Sequence, residues 1–188
     1  ADREVVQGRA SWGSAVDVPF DQIHKLLFRS PRVTYVSDLS AAAERVEGRL
    51  HRSGPDRSWP VRRDRSVSTG PLAIDGRLFD KGLGVHSRTE LDYDLDATYE
   101  FFVATIGIDD AVRPLGRVVF RVLGDGRPLF DSGEVTGADA PREVRVEVKG
   151  VKRLTLSVDY GDDLDLSDHA DWGGARLLKP TGQPRRSQ

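Results

Sequence analysis

The stretch Arg142-Glu-Val-Arg-Val-Glu-Val148 alternates charged and apolar residues without a break. Successive side chains along a β-strand point to opposite faces of the sheet, so this pattern gives the stretch one apolar face and one charged face. The apolar face carries Val144, Val146 and Val148, and the charged face carries Glu143, Arg145 and Glu147. The pattern predicts an antiparallel strand that is buried on one side only.

The same period of two recurs in residues 91–95 and 154–160. Residues 99–108 and 117–123 are apolar on both faces, which is typical of central strands covered on each side. Asp75-Gly76 and Asp125-Gly126 supply the Asp-Gly pair that favours tight hairpin turns. Strands at this spacing, with no helical pattern between them, predict an all-β sandwich over residues 56–180.

The first 55 residues form a mixed N-terminal arm with too few apolar residues for a core of their own. Residues 21–28 fit a short helix or a strand, and residues 32–39 fit a strand. Residues 40–46 fit one or two helical turns capped by Ser40. We interpret the arm as the tail of an upstream domain followed by a segment that packs on the sandwich. Residues 181–188 are predicted to be a disordered tail.

The composition narrows the classes of partner. The 188 residues include 28 basic and 30 acidic side chains, so no overall charge attracts nucleic acid or an anionic membrane. No apolar run approaches the roughly 20 residues needed to cross a bilayer, so we expect no membrane insertion. Cysteine is absent, which excludes disulfides and cysteine-ligated zinc. A small ligand or another protein is the expected partner.

An acidic stretch, Asp162-Asp-Leu-Asp-Leu-Ser-Asp-His-Ala-Asp-Trp172, precedes the last predicted strand. It lacks the glycine and glutamate positions of an EF-hand loop, so a calcium site requires carboxylates from several loops. Asp109 and Asp110 could converge there with Asp168 or Asp171 across one end of the sandwich. The alternative is a solvated acidic turn, in which the aspartates accept hydrogen bonds from nearby backbone N–H groups.

The sequence offers no convincing catalytic constellation. No nucleophile elbow accompanies Ser167, Asp168 and His169, which are neighbours along one strand. Asp109 and Asp168 would suit a glycosidase pair, but aspartates are so numerous that this pairing carries little weight. The histidines lack the spacing of zinc ligands; they are His24, His51, His86 and His169. We therefore expect no enzymatic activity.

Residues 79–95 contain a second informative pattern, because Gly82 and Gly84 flank Leu83. Such glycines indicate a strand that passes close to another backbone, or a bulge at a sheet edge. The strand delivers His86 to its end, where the imidazole is either a hydrogen-bonded structural residue or a ligand contact. Trp172 is likewise either a core anchor or a stacking platform.

Four blocks of sequence, in this order and spacing, resemble one known family. They are KGLGVHSRTELDYDL from Lys81, FFVATIGIDD from Phe101, GRVVFRVLGDGRPLFDSGEVTG from Gly116 and SDHADWGGARLL from Ser167. Together they resemble the NPCBM family, which is also classed as carbohydrate-binding module family 51. The resemblance covers about Trp59 to Lys179. It implies a galactose-binding-like β-sandwich of jelly-roll topology, in agreement with the period-two pattern.

The resemblance also implies a function and a site. It implies a non-catalytic, extracytoplasmic module that binds terminal sugars of the galactose type, with a bound Ca²⁺ ion, through loops at one end of the sandwich. Trp12, Trp59 and Trp172 are the indoles that could offer an apolar face to a sugar. The matching sugar-binding positions are His86, Asp109, Asp110, His169 and Trp172. The matching calcium positions are Asp168 and Asp171, and Asp64, near the start of the resembling region, is a further candidate calcium ligand.

A second function stays open on the sequence alone. A sandwich of this family that has lost its sugar site would act as a structural or assembly domain. Its partners would then be neighbouring domains of a larger protein rather than a glycan.

Overall fold

A computed structural model of the chain describes residues 5–9, 13–23, 30–47, 59–161 and 166–180. The chain divides into two compact units, Ala1–Ser30 and Pro31–Gln188. Strands dominate the described residues, whose helical part consists of the short 3₁₀ segments Phe20–Gln22 and Val36–Asp38. The all-β prediction is confirmed. None of the helices in these described ranges has the length and apolar character needed to cross a membrane.

The first unit contains an antiparallel hairpin of β1 (Val5–Arg9) and β2 (Ala15–Pro19), in which Val6 lies opposite Val18. The 3₁₀ segment Phe20–Gln22 follows β2 directly. Most of the stretch 21–28, for which the sequence fits a helix or a strand, lies outside the described residues. Trp12, His24 and His51 also lie outside them.

The second unit is a two-sheet sandwich. Its strands are β3 (Val33–Tyr35), β4 (Ala43–Val46), β5 (Arg62–Arg63), β6 (Leu72–Ile74), β7 (Arg77–Phe79), β8 (Gly82–His86), β9 (Thr89–Asp94), β10 (Phe101–Ile108), β11 (Arg117–Gly124), β12 (Arg127–Thr136), β13 (Arg142–Glu147), β14 (Arg153–Tyr160) and β15 (His169–Leu178). In the described residues, one sheet has six strands in the order β13-β10-β15-β8-β5, with β3 also paired to β15. The other has five strands in the order β12-β11-β14-β9-β4. Strands β6 and β7 form a separate hairpin.

The main core lies between the two sheets. Val144, Val146 and Val148 are buried and the charged residues between them are exposed, so the predicted alternation of β13 is confirmed. Trp172 joins the two sheets: its ring lies 5.9 Å from Phe102 and 5.0 Å from Phe120, in edge-on contacts. Such contacts add to the hydrophobic stabilisation that comes from burying the indole.

A cover segment, residues 59–79, contributes the edge strand β5 to the six-stranded sheet and then packs on the outer face of that sheet through residues 65–79. A side chain at Gly84 would collide with the backbone of Arg65 and Ser66, and a Cβ at Gly173 would lie 2.8 Å from the Phe79 ring. The close backbone approach predicted at Gly84 is confirmed. The cover also explains why β10 is buried on both faces, since its Gly107 contacts the fully buried Ile74.

The structure corrects the prediction for residues 40–46. These residues are not helical, because Ala43–Val46 form the edge strand β4 and pair with β9. The Arg45 guanidinium also bonds the carboxylates of Glu90 and Asp92 on β9, each at 3.0 Å. Backbone pairing and these ion pairs override the helical preference of an alanine-rich stretch.

The boundary between the compact units lies between Ser30 and Pro31, earlier than the expected boundary at residue 55. Strand β3 pairs with β15 and strand β4 pairs with β9, so both belong to the sandwich. Strands β3 and β4 are stable with few apolar residues, because β15 and β9 supply the partners for their backbone hydrogen bonds. The predicted disordered tail, residues 181–188, and the acidic residues 162–165 lie outside the described residues.

Strand β11 also differs from its prediction. Its inner side chains are buried, but the residues between them are half-buried rather than covered. Arg121 bonds Asp131 at 2.8 Å and Asp159 at 3.0 Å across the outer face of this sheet. The outer face of β11 is therefore lined with ion pairs rather than covered by apolar side chains, and Arg121 is the residue in its sequence that indicates this.

Candidate functional site

An aromatic cluster lies on the outer face of the six-stranded sheet, where β8 ends and β15 begins. His86 and His169 face each other directly in the antiparallel ladder. Directly opposed residues share one face of a sheet, and the two imidazole centroids lie 5.5 Å apart with an interplanar angle of 63°. The Trp59 indole stacks on His86 at 5.4 Å and 14°, and its centroid lies 5.0 Å from that of His169.

The cluster has a covered side and an open side. His86 and His169 are 4% and 9% exposed, whereas Trp59 is 43% exposed. The indole therefore lies over the two imidazoles and leaves much of its own surface to solvent. A half-exposed, well-held indole offers an apolar plane edged by a polar N–H group, which suits a ligand with both apolar and hydroxyl surfaces.

Hydrogen bonds hold both imidazoles in place. The Nδ1 atom of His86 lies 2.7 Å from the Ser87 carbonyl oxygen, and because a carbonyl only accepts, Nδ1 carries the proton. The Nδ1 atom of His169 lies 2.8 Å from the hydroxyl of Ser68, which belongs to the cover segment. Burial and the nearby His86 lower the pKa of His169 despite the opposing effect of Asp109, so this ring is neutral at neutral pH.

Asp168 forms a buried junction of three chain segments beside the cluster. Its carboxylate accepts a hydrogen bond from the Ser87 hydroxyl at 2.5 Å and another from the Arg117 backbone N–H at 3.0 Å. The side chain is 0% exposed. Asp168 thereby fixes the chain next to His86 and next to His169, and its role in the structure is positioning.

Asp110 and Asp64, predicted for sugar and calcium, bind other parts of the chain. The Asp110 carboxylate accepts the backbone N–H groups of Asp75 and Gly76 at 2.7 and 2.8 Å, and so caps the β6–β7 turn. Asp64 pairs with the Lys81 ammonium at 2.6 Å and accepts the Gly82 N–H at 3.1 Å. Burial is the largest single effect and raises the pKa of Asp64, but the hydrogen bonds from Lys81, Ser37 and the Gly82 N–H together outweigh it, so the pKa is lowered.

Asp109 and Asp171 form a buried carboxyl pair at 2% and 0% exposure. Asp109 accepts the Ala111 N–H at 2.9 Å, and Asp171 accepts the Ala73 N–H at 3.2 Å. The remaining oxygen of each, Oδ2 of Asp109 and Oδ1 of Asp171, is buried without a hydrogen-bond donor. Burial and the contact with Asp109 raise the pKa of Asp171 well above its ordinary value.

The three aspartates predicted to hold calcium do not share a site. Asp64 binds Lys81, Asp168 binds Ser87 and Arg117, and Asp171 faces Asp109. Calcium takes about six to eight oxygen ligands, which this dispersed set does not supply. Within the described ranges, no group of three or more histidine, aspartate or glutamate side chains is arranged to hold a metal ion.

Trp172 also departs from its predicted role as a sugar contact. It is 1% exposed and packed between Phe102 and Phe120, so its ring cannot meet a ligand. Trp59 supplies the exposed indole instead. In the sequence, Trp59 is one of three candidate indoles, and nothing distinguishes Ser68. Both residues contact the histidines only because of the path that the cover segment takes, which the sequence pattern does not predict.

A comparison with protein families identifies the sandwich. Residues 32–178 match the NPCBM/NEW2 domain model. The chain belongs to the NPCBM family. The match begins one residue before β3 and ends at Leu178, the last residue of β15, so the family domain coincides with the strands of the second unit.

The NPCBM domain also resembles individual proteins. It is 32% identical over 131 residues to a Renibacterium salmoninarum protein that carries a provisional endo-alpha-N-acetylgalactosaminidase name; the match covers 66% of this chain and 9% of that relative. The chain thus spans about a tenth of that relative's length.

Two solved structures share the fold of this NPCBM domain. CBM51 from Clostridium perfringens GH95, in complex with methyl-galactose, is 27% identical with a TM-score of 0.68, over 78% of this chain and 99% of that one. CBM51-2 with INT domains from Clostridium perfringens ZmpB, in complex with GlcNAc, is 25% identical with a TM-score of 0.68, over 93% of this chain and 36% of that one. The predicted galactose-binding-like sandwich is confirmed.

Proposed function

We propose that this NPCBM domain is a non-catalytic carbohydrate-binding module that holds a sugar against the exposed face of Trp59. The observation that supports the proposal is the stack of a 43% exposed indole on two nearly buried imidazoles. Family membership and the sugar-bound solved relatives agree with it. The module belongs, in this proposal, to a larger extracytoplasmic protein that acts on or adheres to glycans.

The chemistry of the cluster suits a pyranose ring. One face of such a ring is lined with C–H groups and packs on an aromatic plane, while its hydroxyls need donors and acceptors at the edge. Trp59 supplies the plane, and Ser68 and His169 supply hydroxyl and imidazole groups beside it. Because His169 is neutral at neutral pH, this edge suits an uncharged sugar.

Galactose is the preferred sugar in this proposal. A related module of Clostridium perfringens is described in complex with methyl-galactose, and another in complex with GlcNAc. Calcium assistance is a separate part of the proposal that rests on the family resemblance. Asp64, Asp168 and Asp171 do not form one site, so a bound calcium ion would need a different set of ligands.

Calorimetric titration of the 188-residue chain with methyl-galactoside, glucose and GlcNAc tests the proposal. We expect measurable binding of the galactoside and a loss of at least about tenfold in affinity on Trp59→Ala, equal to about 1.4 kcal/mol. Leu129→Ala is the matched control, since Leu129 is also exposed, at 39%, but lies near the opposite end of the sandwich. Circular dichroism establishes that each variant is folded.

Flat titrations with every sugar, in a chain that is folded, would overturn the proposal. They would favour the alternative function as a structural or assembly domain. Equal losses of affinity in Trp59→Ala and Leu129→Ala would overturn the assignment of the site to Trp59.

A further inference from the structure

Strand β13 leaves one row of backbone groups unpaired. It is an edge of the six-stranded sheet, and it pairs with β10 in an antiparallel ladder without a register shift. The Val148 N–H donates to the Glu100 carbonyl at 2.8 Å, so the Val148 backbone faces β10. Because backbone direction alternates along an antiparallel strand, the backbone groups of Glu143, Arg145 and Glu147 face away from β10. These outward groups have no hydrogen-bond partner within the described residues.

The edge of the other sheet, β12, is blocked in a way that β13 is not. The Arg142 guanidinium donates to the carbonyls of Ser132 and Glu134, at 3.0 and 3.2 Å. The Ser132 hydroxyl also accepts the Phe120 N–H at 2.9 Å, where the register of β12 shifts. Such irregularities and side-chain contacts protect an edge strand from pairing with another strand. The regular ladder of β13 leaves its edge open to a partner strand.

The charges of β13 identify the kind of partner. The Glu143 carboxylate bonds Arg77 at 2.7 Å, so its charge is balanced inside the chain. Arg145 and Glu147 are both exposed, and neither forms an ion pair with a described residue. The Arg145 guanidinium is held instead over the Phe101 ring, 3.8 Å from its centre. The edge therefore offers an unpaired cation and an unpaired anion two residues apart on one strand.

We propose that β13 pairs antiparallel with β13 of a second copy of this chain, about a two-fold axis between the two Val146 residues. In this register, Arg145 of each copy lies opposite Glu147 of the other, so both unpaired charges are balanced. The outward backbone groups of the same two residues exchange hydrogen bonds across the axis. Val146, which is 8% exposed, meets its own counterpart on the inner face of the joined sheet.

The two neighbouring two-fold registers fit the charges less well. An axis at Arg145 places this residue opposite itself and Glu143 opposite Glu147, and like charges directly opposite each other destabilise a sheet. An axis at Val144 pairs Arg145 with Glu143, which Arg77 already binds, and leaves Glu147 without a cation. The proposed register balances both charges.

Pairing in this way joins the six-stranded sheets of two copies into one continuous sheet. The inference goes beyond the proposed sugar binding and does not depend on it. The contact is one strand wide, at the small end of specific interfaces, so the dimer is weak and depends on concentration. Each dimer carries two aromatic clusters, which raises its avidity for a surface with many copies of one sugar.

Sedimentation velocity on the full chain, from about 10 μM to about 1 mM, tests the inference at the concentrations where such an interface associates. We expect the sedimentation coefficient of the parent chain to rise from that of a monomer towards that of a dimer. Arg145→Glu and Glu147→Arg each put like charges opposite each other, so each should weaken self-association at least about tenfold. Arg127→Glu, in an exposed arginine on β12, is the control and should change nothing.

Charge exchange makes the test specific. The double variant Arg145→Glu/Glu147→Arg again pairs opposite charges, and so does an equal mixture of the two single variants. We expect both to recover the self-association of the parent chain. Circular dichroism establishes that each variant is folded.

Cross-linking reports the register without a change of charge. The chain contains no cysteine, so a single introduced thiol can pair only with its own counterpart. Val146 and its counterpart form a non-hydrogen-bonded pair with Cα atoms about 4.5 Å apart, which a disulfide can span. In Val144→Cys the two thiols are offset by four residues, about 13 Å, and lie out of reach. Mild oxidation should therefore yield a covalent dimer of Val146→Cys and none of Val144→Cys.

Three results would overturn the inference and leave the sugar site standing. The first is a parent chain that stays monomeric at every concentration. The second is self-association that the single charge variants leave unchanged, or that neither the double variant nor the mixture recovers. The third is a covalent dimer that forms as readily in Val144→Cys as in Val146→Cys.

Discussion

The buried carboxyl groups of Asp109 and Asp171 lie within hydrogen-bonding reach of each other, and one oxygen of each carboxyl group accepts no hydrogen bond from a donor. Two carboxylates in a dry environment repel each other, so one of them favours the protonated form. This pair lies behind strand β6, since the Ala73 N–H bonds Asp171. The arrangement makes stability depend on pH in a direction that can be worked out.

We expect Asp171→Asn to stabilise the protein at about pH 8, by roughly 1 to 3 kcal/mol. The folded-state pKa of Asp171 is raised above its ordinary value of 3.8, so the folded state loses stability as pH rises through that pKa. Asparagine cannot ionise, and its amide can donate to the free oxygen of Asp109. Thermal unfolding from about pH 5 to pH 8 should show a gain in Tm that grows with pH. A lower Tm at the alkaline end would contradict the prediction.

Asp168→Asn is the matched variant and should have the opposite effect. Both oxygens of Asp168 accept hydrogen bonds, from Ser87 and Arg117, and an amide nitrogen cannot accept either one. A buried donor is then left unpaired, which costs about 1 to 3 kcal/mol. For a chain of this size we expect Tm to fall by several degrees across the neutral range. An unchanged Tm would mean that the junction does not position the loops.

His169 provides a second pH-dependent term with the reverse sign. Its folded-state pKa lies below the ordinary value of 6.5, because burial and His86 disfavour the charged ring. The folded protein binds fewer protons than the unfolded chain, so this contribution is present above pH 6.5 and is lost as pH falls through the folded-state pKa. Between about pH 7 and pH 5, Tm should fall more steeply in the parent chain than in His169→Gln. Parallel curves would show that the ring is not held neutral.

Trp172 should matter for stability and not for direct sugar contact. Trp172→Ala removes an indole that joins the two sheets, and we expect a loss of about 3 to 5 kcal/mol in the free energy of unfolding. Trp172→Phe keeps a buried ring, so we expect a folded protein with sugar affinity within about twofold of the parent. Calorimetry on this folded variant is the measurement. A selective loss of sugar binding without a loss of stability would show that Trp172 contacts the sugar.

Calcium binding is measured by comparing Tm with added ion and with chelator. We expect the ion to raise stability, by about 2.7 kcal/mol at a hundredfold excess over the dissociation constant. Because Asp64 is engaged by Lys81 and lies apart from Asp171, the difference between ion and chelator should be the same in Asp64→Asn as in the parent. A Tm that does not respond to calcium would remove the ion from the proposal.

The period of two was enough to predict the strands, because burial of one sheet face leaves a direct trace in the sequence. The valines of residues 142–148 and the apolar side chains of residues 91–95 are buried as predicted. In residues 154–160, Leu154, Leu156 and Val158 are buried as predicted, whereas Tyr160 is half-buried. Residues 40–46 could not be predicted in this way, since the pairing of β4 with β9 joins parts of the chain that are far apart. Local propensity carries no information on that partner.

The candidate site was predictable only where it lies within strands. His86 and His169 are brought together by direct pairing of β8 and β15, and both stand in stretches that resemble the family. The aspartates near them were harder to interpret, because a carboxylate that caps a turn, such as Asp110, has the same sequence signature as a ligand. Trp59 was identified by geometry, since only the path of the cover segment places it over His86.

The cover segment has a consequence for how such modules can be changed. Residues 59–79 supply Trp59 and Ser68 to the aromatic cluster, and the same residues pack on glycines of the sheet. The cover segment thus supplies both the recognition surface and the layer that covers the outer face of the sheet. Exchanging residues 59–79 between related domains should transfer ligand preference in a single step. The recipient sheet must keep the glycines at positions 84 and 173, on which this segment packs.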